Sequence, residues 1–265
     1  MISIQKYEKV QSLEQAFELN QGKKNRIIGG MMWLNMGHTR VNTAIDISGL
    51  GLNAIEETDE EFKIGAMVTL RQLEQHDSLN NYTSNSVKNA VKDIVGVQFR
   101  NMATIGGSLW GRFGFSDLLT VFLAMDSYVE LYPTGIVSLK EFSEMKRDNS
   151  ILVNLIVKKT PIKICYSAMR AQRTDFPVLA CATSFVNGEY RAVIGARPAK
   201  AKIVPDSEGI LSSGITEESA TKFAKYVAAN IVTGSNNRGS AKYRKHLAWV
   251  LTMRNILKLG GEKND

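Results

Sequence analysis

An α+β fold is predicted by three features of the chain. Short helical and strand-like segments alternate along it, no internal repeat or low-complexity linker separates them, and the part after Pro161 holds three apolar-alternating segments followed by two helical ones. At 265 residues and 44% hydrophobic content the chain can bury one large core or two modest ones. From the N-terminus, Ser12 with Gln15 has the form of a capping box, which starts a helix over SLEQAFELN. RII before Gly29 and AIDIS at 44–48 read as short strands, and NAIEETDEEFKIGAMV alternates about a polar TDE turn as a hairpin does. TLRQLEQH and NSVKNAVKDIV read as helices. Beyond Pro161, KICYSAMR, PVLACATSFV and EYRAVIGA read as three strands, separated by turn signals such as Asn187-Gly188. A domain boundary is placed near residue 160.

Composition narrows the chemistry by exclusion. The 33 Lys and Arg against 26 Asp and Glu give a formal charge of +7, which permits anionic cofactors, nucleic acid or an acidic partner without choosing among them. Basic residues thicken in RGSAKYRKHLAWVLTMRNILKL, where Leu247, Val250, Leu251, Ile256 and Leu257 keep helical spacing. A solvated basic face on an amphipathic helix explains that pattern, since no nucleic-acid motif accompanies it. His38, His76 and His246 are widely separated, which argues against a histidine metal site and for surface or capping roles. Cys165 and Cys181 lie in predicted strands without C-x-x-C spacing and are expected to be reduced and buried. No apolar run approaches the roughly 20 residues that span a bilayer, and MISIQKYEKV lacks a signal-peptide core, so a cytoplasmic protein is expected. Nucleophile elbow, Walker and G-x-G-x-x-G motifs are missing from the sequence.

Two glycine motifs remain, IIGGMMWLN at 27–35 and TIGGSLWG at 104–111, each after an apolar or β-like segment. Consecutive glycines let the chain turn with its N–H groups pointing one way, a concavity that binds phosphate oxygens without a lysine. Tight turns at strand ends use such pairs as well, so the residues alone leave both readings open.

The order of segments carries a resemblance. IIGG through IDIS, FKIGAMVTLRQLE, RNMATIGGSLWGRFGFSDLLTVFLAMDSYVEL, SAMRAQRTDFPVLACA and GSAKYRKHLAWVLTMRNIL together resemble the FAD-binding medium subunit of the molybdenum hydroxylases, the xanthine dehydrogenase and carbon monoxide dehydrogenase family. RNMATIGGS with Asp117 downstream is the most specific part. The resemblance implies an N-terminal region of PCMH or vanillyl-alcohol-oxidase type at 1–160, with subdomains about 1–52 and 53–160. It also implies a C-terminal α+β domain at 161–265, built on a three-stranded antiparallel sheet with helices. By the same likeness FAD would be held by Gly29, Gly30, Met31, Met32 and Trp33, and by Thr104, Ile105, Gly106, Gly107 and Ser108. Asp117 would accept hydrogen bonds from the polar end of the cofactor, while Leu152 and Arg170 stand where the family has a leucine and a lysine near it, the alternatives being an ordinary strand core residue for Leu152 and a solvated strand-end cation for Arg170. Trp110, Phe113 and Phe115 would either pack on flat rings or fill core.

Function in that family is electron transfer, which fits the want of any acid, base or nucleophile constellation. Iron–sulfur clusters on a small subunit would feed FAD on this chain, substrate being hydroxylated at molybdopterin on a large subunit, and NAD+ is a common acceptor. A heterotrimer is thereby implied, and a flavin-free assembly subunit is the alternative. The chain departs from the family at Met31-Met32, where many members read Thr-Asp after the glycines, and at Ser108, where asparagine is common. Arg112 stands where others often have small residues or proline; its charge either pairs with phosphate or with a partner or, on the plainer reading, is that of a solvated loop arginine.

Overall fold

The computed structural model describes residues 2–261; Met1 and residues 262–265, at the ends of the two predicted domains, lie outside it. β1 (Ser3–Lys9) comes first, and Ser12 then caps α1 (Leu13–Asn20) by accepting from the Gln15 N–H at 3.2 Å. The other half of the expected capping box is displaced by one residue, because Gln15 Oε1 accepts from the Gln11 N–H at 2.8 Å. β2 (Arg26–Ile28), β3 (Arg40–Asp46) and the hairpin of β4 (Ile55–Glu57) with β5 (Glu61–Gly65) follow. The middle of the chain is helical: α2 (Leu70–Gln75), α3 (Asp77–Tyr82), α4 (Ser86–Val91), α5 (Val97–Met102), α6 (Ile105–Trp110) and α7 (Asp117–Leu123). Next come β6 (Ser127–Tyr132), β7 (Gly135–Ser138), α8 (Leu139–Glu144) and β8 (Ile151–Lys158). The remainder is β9 (Ile162–Met169), β10 (Leu179–Val186), β11 (Glu189–Gly195), β12 (Lys202–Pro205), α9 (Glu217–Asn230) and α10 (Ala241–Leu259).

These elements sort into two compact units that the chain visits in turn. The first takes residues up to Gln72, Gly96–Gly111 and Ser127–Lys158. It holds a parallel sheet ordered β1-β3-β2 and an antiparallel sheet ordered β4-β5-β8-β6-β7. β8, ILVNLIVK, is the central strand of the latter and is buried at every position but its last, which is why it reads as a continuous apolar run.

The second unit takes Leu73–Val95, Arg112–Asp126 and the chain from Lys159 onward. Its antiparallel sheet is ordered β12-β11-β10-β9. The three predicted strands are all present, and the expectation of a three-stranded sheet is corrected by a fourth, β12, too short and too flanked by polar residues to show a period of two. Helices cover both faces. Cys181 and Ile194 belong to the cluster that includes Phe223 of α9 and Leu251 of α10, whereas Ser184 donates to the Ala124 carbonyl after α7 and Gly195 lies against Thr120 of α7. α7, the apolar run LLTVFL with Asp117 at its head, is buried along its whole length, so it is apolar all round. Cys165 is half-buried and Cys181 buried, and both are free thiols. Among the described residues no helix is long and apolar enough to cross a membrane.

Candidate functional site

In the first unit the two glycine motifs meet at Thr104. A Cβ on Gly29 would stand 2.8 Å from Thr104 Oγ1, and one on Gly30 would stand 1.7 Å from the Met102 carbonyl oxygen, so no side chain fits there. Met31 then takes φ +57° while Gly30 and Met32 stay outside the left-handed region, the alternation of hand that a backbone nest requires. Among the described residues the N–H groups of Gly29, Gly30, Met31 and Met32 have no acceptor in the chain. Met31 packs against Ile28, Val41 and Ala44, which is where the family's polar residue is replaced by apolar surface. Met32 is half-buried and Trp33 is 40% exposed.

The second motif is built differently, and the expectation of a loop with free N–H donors is corrected. Thr104 is the N-cap of α6, its Oγ1 accepting from the Gly107 N–H at 3.2 Å. The N–H groups of Ile105 and Gly106 go to the Val68 and Ala66 carbonyls, each at 2.8 Å, and that of Ser108 goes to the Thr104 carbonyl at 3.1 Å. Gly106 is needed for contact, since a Cβ there would lie 2.6 Å from the Ala66 oxygen. Gly107 is exposed, and its Cβ would meet only Thr104 Oγ1 at 3.3 Å. The Ser108 hydroxyl donates inward to the Thr104 carbonyl at 2.8 Å, and Ile105 is fully buried. Leu152, on β8, is a core residue at 5% exposure.

In the second unit Ser116 caps α7 and presents Asp117 in its first turn. The Tyr166 hydroxyl on β9 and Arg170 Nη2, the latter at 2.8 Å, both donate to Asp117 Oδ1, while Arg170 Nη1 donates to the Asp175 carbonyl at 2.6 Å. Oδ2 accepts from no donor among the described residues. The Asp117 and Arg170 side chains are 5% and 8% exposed, so Arg170 is a buried ion-pair partner, where a solvated strand-end cation was the alternative. Burial pushes the Asp117 carboxyl up from its ordinary value, against the Arg170 charge and the Tyr166 hydroxyl that favour the anion. Burial also works against the Arg170 charge, but Asp117 more than offsets it and holds the guanidinium above its ordinary value. Removing one member of such a pair typically costs about 3–5 kcal/mol.

Tyr166 escaped the sequence reading. Its signal was a tyrosine on the inward face of a strand, two residues after Ile164, where a phenol needs a partner. Of the two readings of Arg112, the solvated one is excluded: the residue is 5% exposed, with φ +45°. Phe113 and Phe115 stack at 5.1 Å, Phe176 lies 4.5 Å from Phe115, and in the first unit Trp110 sits 6.0 Å from Phe142. The rings pack on one another.

A family model described as the FAD binding domain in molybdopterin dehydrogenase matches residues 2–160. The chain is 25% identical over 275 residues to the glyceraldehyde dehydrogenase medium chain of Sulfolobus acidocaldarius, covering 94% of this chain and 95% of that one. It is 24% identical over 276 residues to the nicotine 6-hydroxylase medium subunit of Paenarthrobacter nicotinovorans, covering 96% and 97%. Its fold is that of a chain of the carbon monoxide dehydrogenase from Hydrogenophaga pseudoflava, with a TM-score of 0.84 at 21% identity over 97% of this chain and 96% of the other. With more than half of its length matched by the family model, the chain belongs to the family of FAD-binding, medium-type subunits of the molybdenum hydroxylases.

Proposed function

We propose that this chain binds FAD tightly and serves as the electron-transfer subunit of a molybdopterin-dependent oxidoreductase. Its partners in this reading are a large molybdopterin-binding subunit and a small iron–sulfur subunit, in a heterotrimer of xanthine dehydrogenase-like organisation with an acceptor such as NAD+. The medium-chain and medium-subunit names of its relatives support such an assembly. In domain terms, 1–160 is the flavin-binding part, with subdomains about 1–52 and 53–160, and 161–265 is the C-terminal part.

The observation that carries the proposal is the run of four unclaimed N–H groups at Gly29–Met32, set beside the open face of Gly107. Hydrogen bonds to a charged oxygen contribute about 1.5–3 kcal/mol each, so a few donors suffice to hold a pyrophosphate. FAD, when bound, supplies the exchange between one-electron and two-electron carriers. The chain supplies the rest. Backbone donors of the first motif bind the anion, and the missing side chain at Gly107 leaves room over Thr104. In this reading Ile105, Ser108 and Leu152 belong to the packed framework behind the cofactor, and Trp33, 40% exposed, would cover part of the motif. In the second unit the free Oδ2 of Asp117 accepts from a polar group, its orientation fixed by Arg170 and Tyr166.

The visible absorption spectrum of the purified chain, after adding FAD and desalting, tests this. A retained flavin spectrum is expected. A chain that keeps no flavin, alone or purified with its partners, would instead be the assembly subunit.

A further inference from the structure

The second unit holds a cavity of about 260 Å³, below the roughly 300–1,000 Å³ of drug-sized sites. Its charged lining is Lys200, Arg238 and Arg244, and among the described residues no acidic side chain lines it. Phe115 and Phe176 form the apolar side.

Arg244 is the informative member. It lies on α10, is 1% exposed, and has no carboxylate partner among the described residues. Its Nε donates to the Val178 carbonyl at 2.9 Å. Nη1 donates to the Gly234 and Gly239 carbonyls at 2.8 and 2.5 Å, and Nη2 to Asn236 Oδ1 at 2.6 Å. A guanidinium has five N–H groups, so one on Nη2 is left without an acceptor among the described residues. Leaving a charged donor unmatched inside a protein is costly, and an anion in the cavity would remove the cost. Arg238 adds to the imbalance. Its guanidinium carbon lies 4.9 Å from the centre of the Phe176 ring, and it has no ion-pair partner among the described residues. Burial and the nearby Arg238 charge both push the Arg244 pKa down, as expected where like charges gather without a counter-ion.

We propose that this cavity binds a small organic carboxylate with a flat, apolar body, its head held by Arg238 and the remaining N–H of Arg244 and its body lying against Phe115 and Phe176. A guanidinium fork matches a carboxylate, and the phenylalanines give the rest of the ligand an apolar wall that inorganic anions cannot use. The proposal does not depend on the flavin reading.

Benzoate is the probe, with acetate lacking the body and benzamide lacking the charge, each titrated calorimetrically into the full chain. Benzoate is expected to bind saturably and at least about tenfold more tightly than either control. Arg238→Met, at an exposed position, is expected to weaken benzoate by about tenfold or more with an unchanged melting temperature, and Phe176→Leu to weaken benzoate but not acetate. Three results would overturn the proposal: benzoate binding no better than both controls or unmoved by Arg238→Met, inorganic phosphate binding more tightly than benzoate, or stoichiometric displacement of benzoate by FAD, which would make the cavity part of the cofactor's site.

Discussion

The two glycine motifs read alike, Ile-Gly-Gly in both, and the fold uses them in opposite ways. At 29–32 the chain runs beyond a strand end and leaves its N–H groups unclaimed, while at 105–108 every N–H is bonded within the chain. Three of the four glycines are there for contact: Gly29 against Thr104, Gly30 against Met102 and Gly106 against Ala66. Only Gly107 looks onto open space beyond its own cap. A Gly-Gly pair thus reports that backbone must pass close to something. In both motifs the protein's own atoms claim that closeness, and what differs is the N–H groups, which the chain bonds in the second motif and leaves unclaimed in the first.

Substitutions separate these uses. Gly30→Ala forces a Cβ into a carbonyl that cannot swing away, and a loss of about 3 kcal/mol or more is expected in urea unfolding. Gly106→Ala meets the Ala66 oxygen at 2.6 Å and should cost about 2 kcal/mol. Should either variant melt with the wild type, the close-packing account of that glycine is wrong. Thr104→Val removes the cap of α6 and should cost about 1 kcal/mol, with Thr104→Ser restoring most of it. Gly107→Ala, inside a helix and meeting only the Thr104 hydroxyl at 3.3 Å, should raise stability by up to about 1 kcal/mol once that hydroxyl shifts slightly. A clear loss there would mean that Gly107 is as tightly packed as Gly106.

Much of the fold was legible because it rests on short-range patterns. The strands at 162–195 alternate visibly, and the hairpin turn at Thr58 is closed by its own hydroxyl, which accepts from the Glu60 and Glu61 N–H groups. Thr216 and Ser219 close a capping box on α9 in the same local way. The missed features are non-local or masked. α6 was hidden because two glycines lower helix propensity by about 1 kcal/mol each, so its cap at Thr104 went unread. The Tyr166–Asp117–Arg170 cluster joins residues 49 and 53 positions apart, which no local period reveals. Arg244 lies in the basic stretch whose pattern predicts a solvated face, yet Leu247, Ala248 and Leu251 place it on the buried stripe of its helix at spacings of three, four and seven. That spacing was the signal.

In the proposed function the cofactor lies over the open face of Gly107, beside the unclaimed N–H groups of Gly29–Met32. Titration of FAD into wild type and Gly107→Trp, followed by flavin fluorescence with circular dichroism to confirm folding, tests it most directly. Wild type should bind, and a folded Gly107→Trp should lose at least about 100-fold in affinity. Equal affinity in the two proteins would contradict the claim.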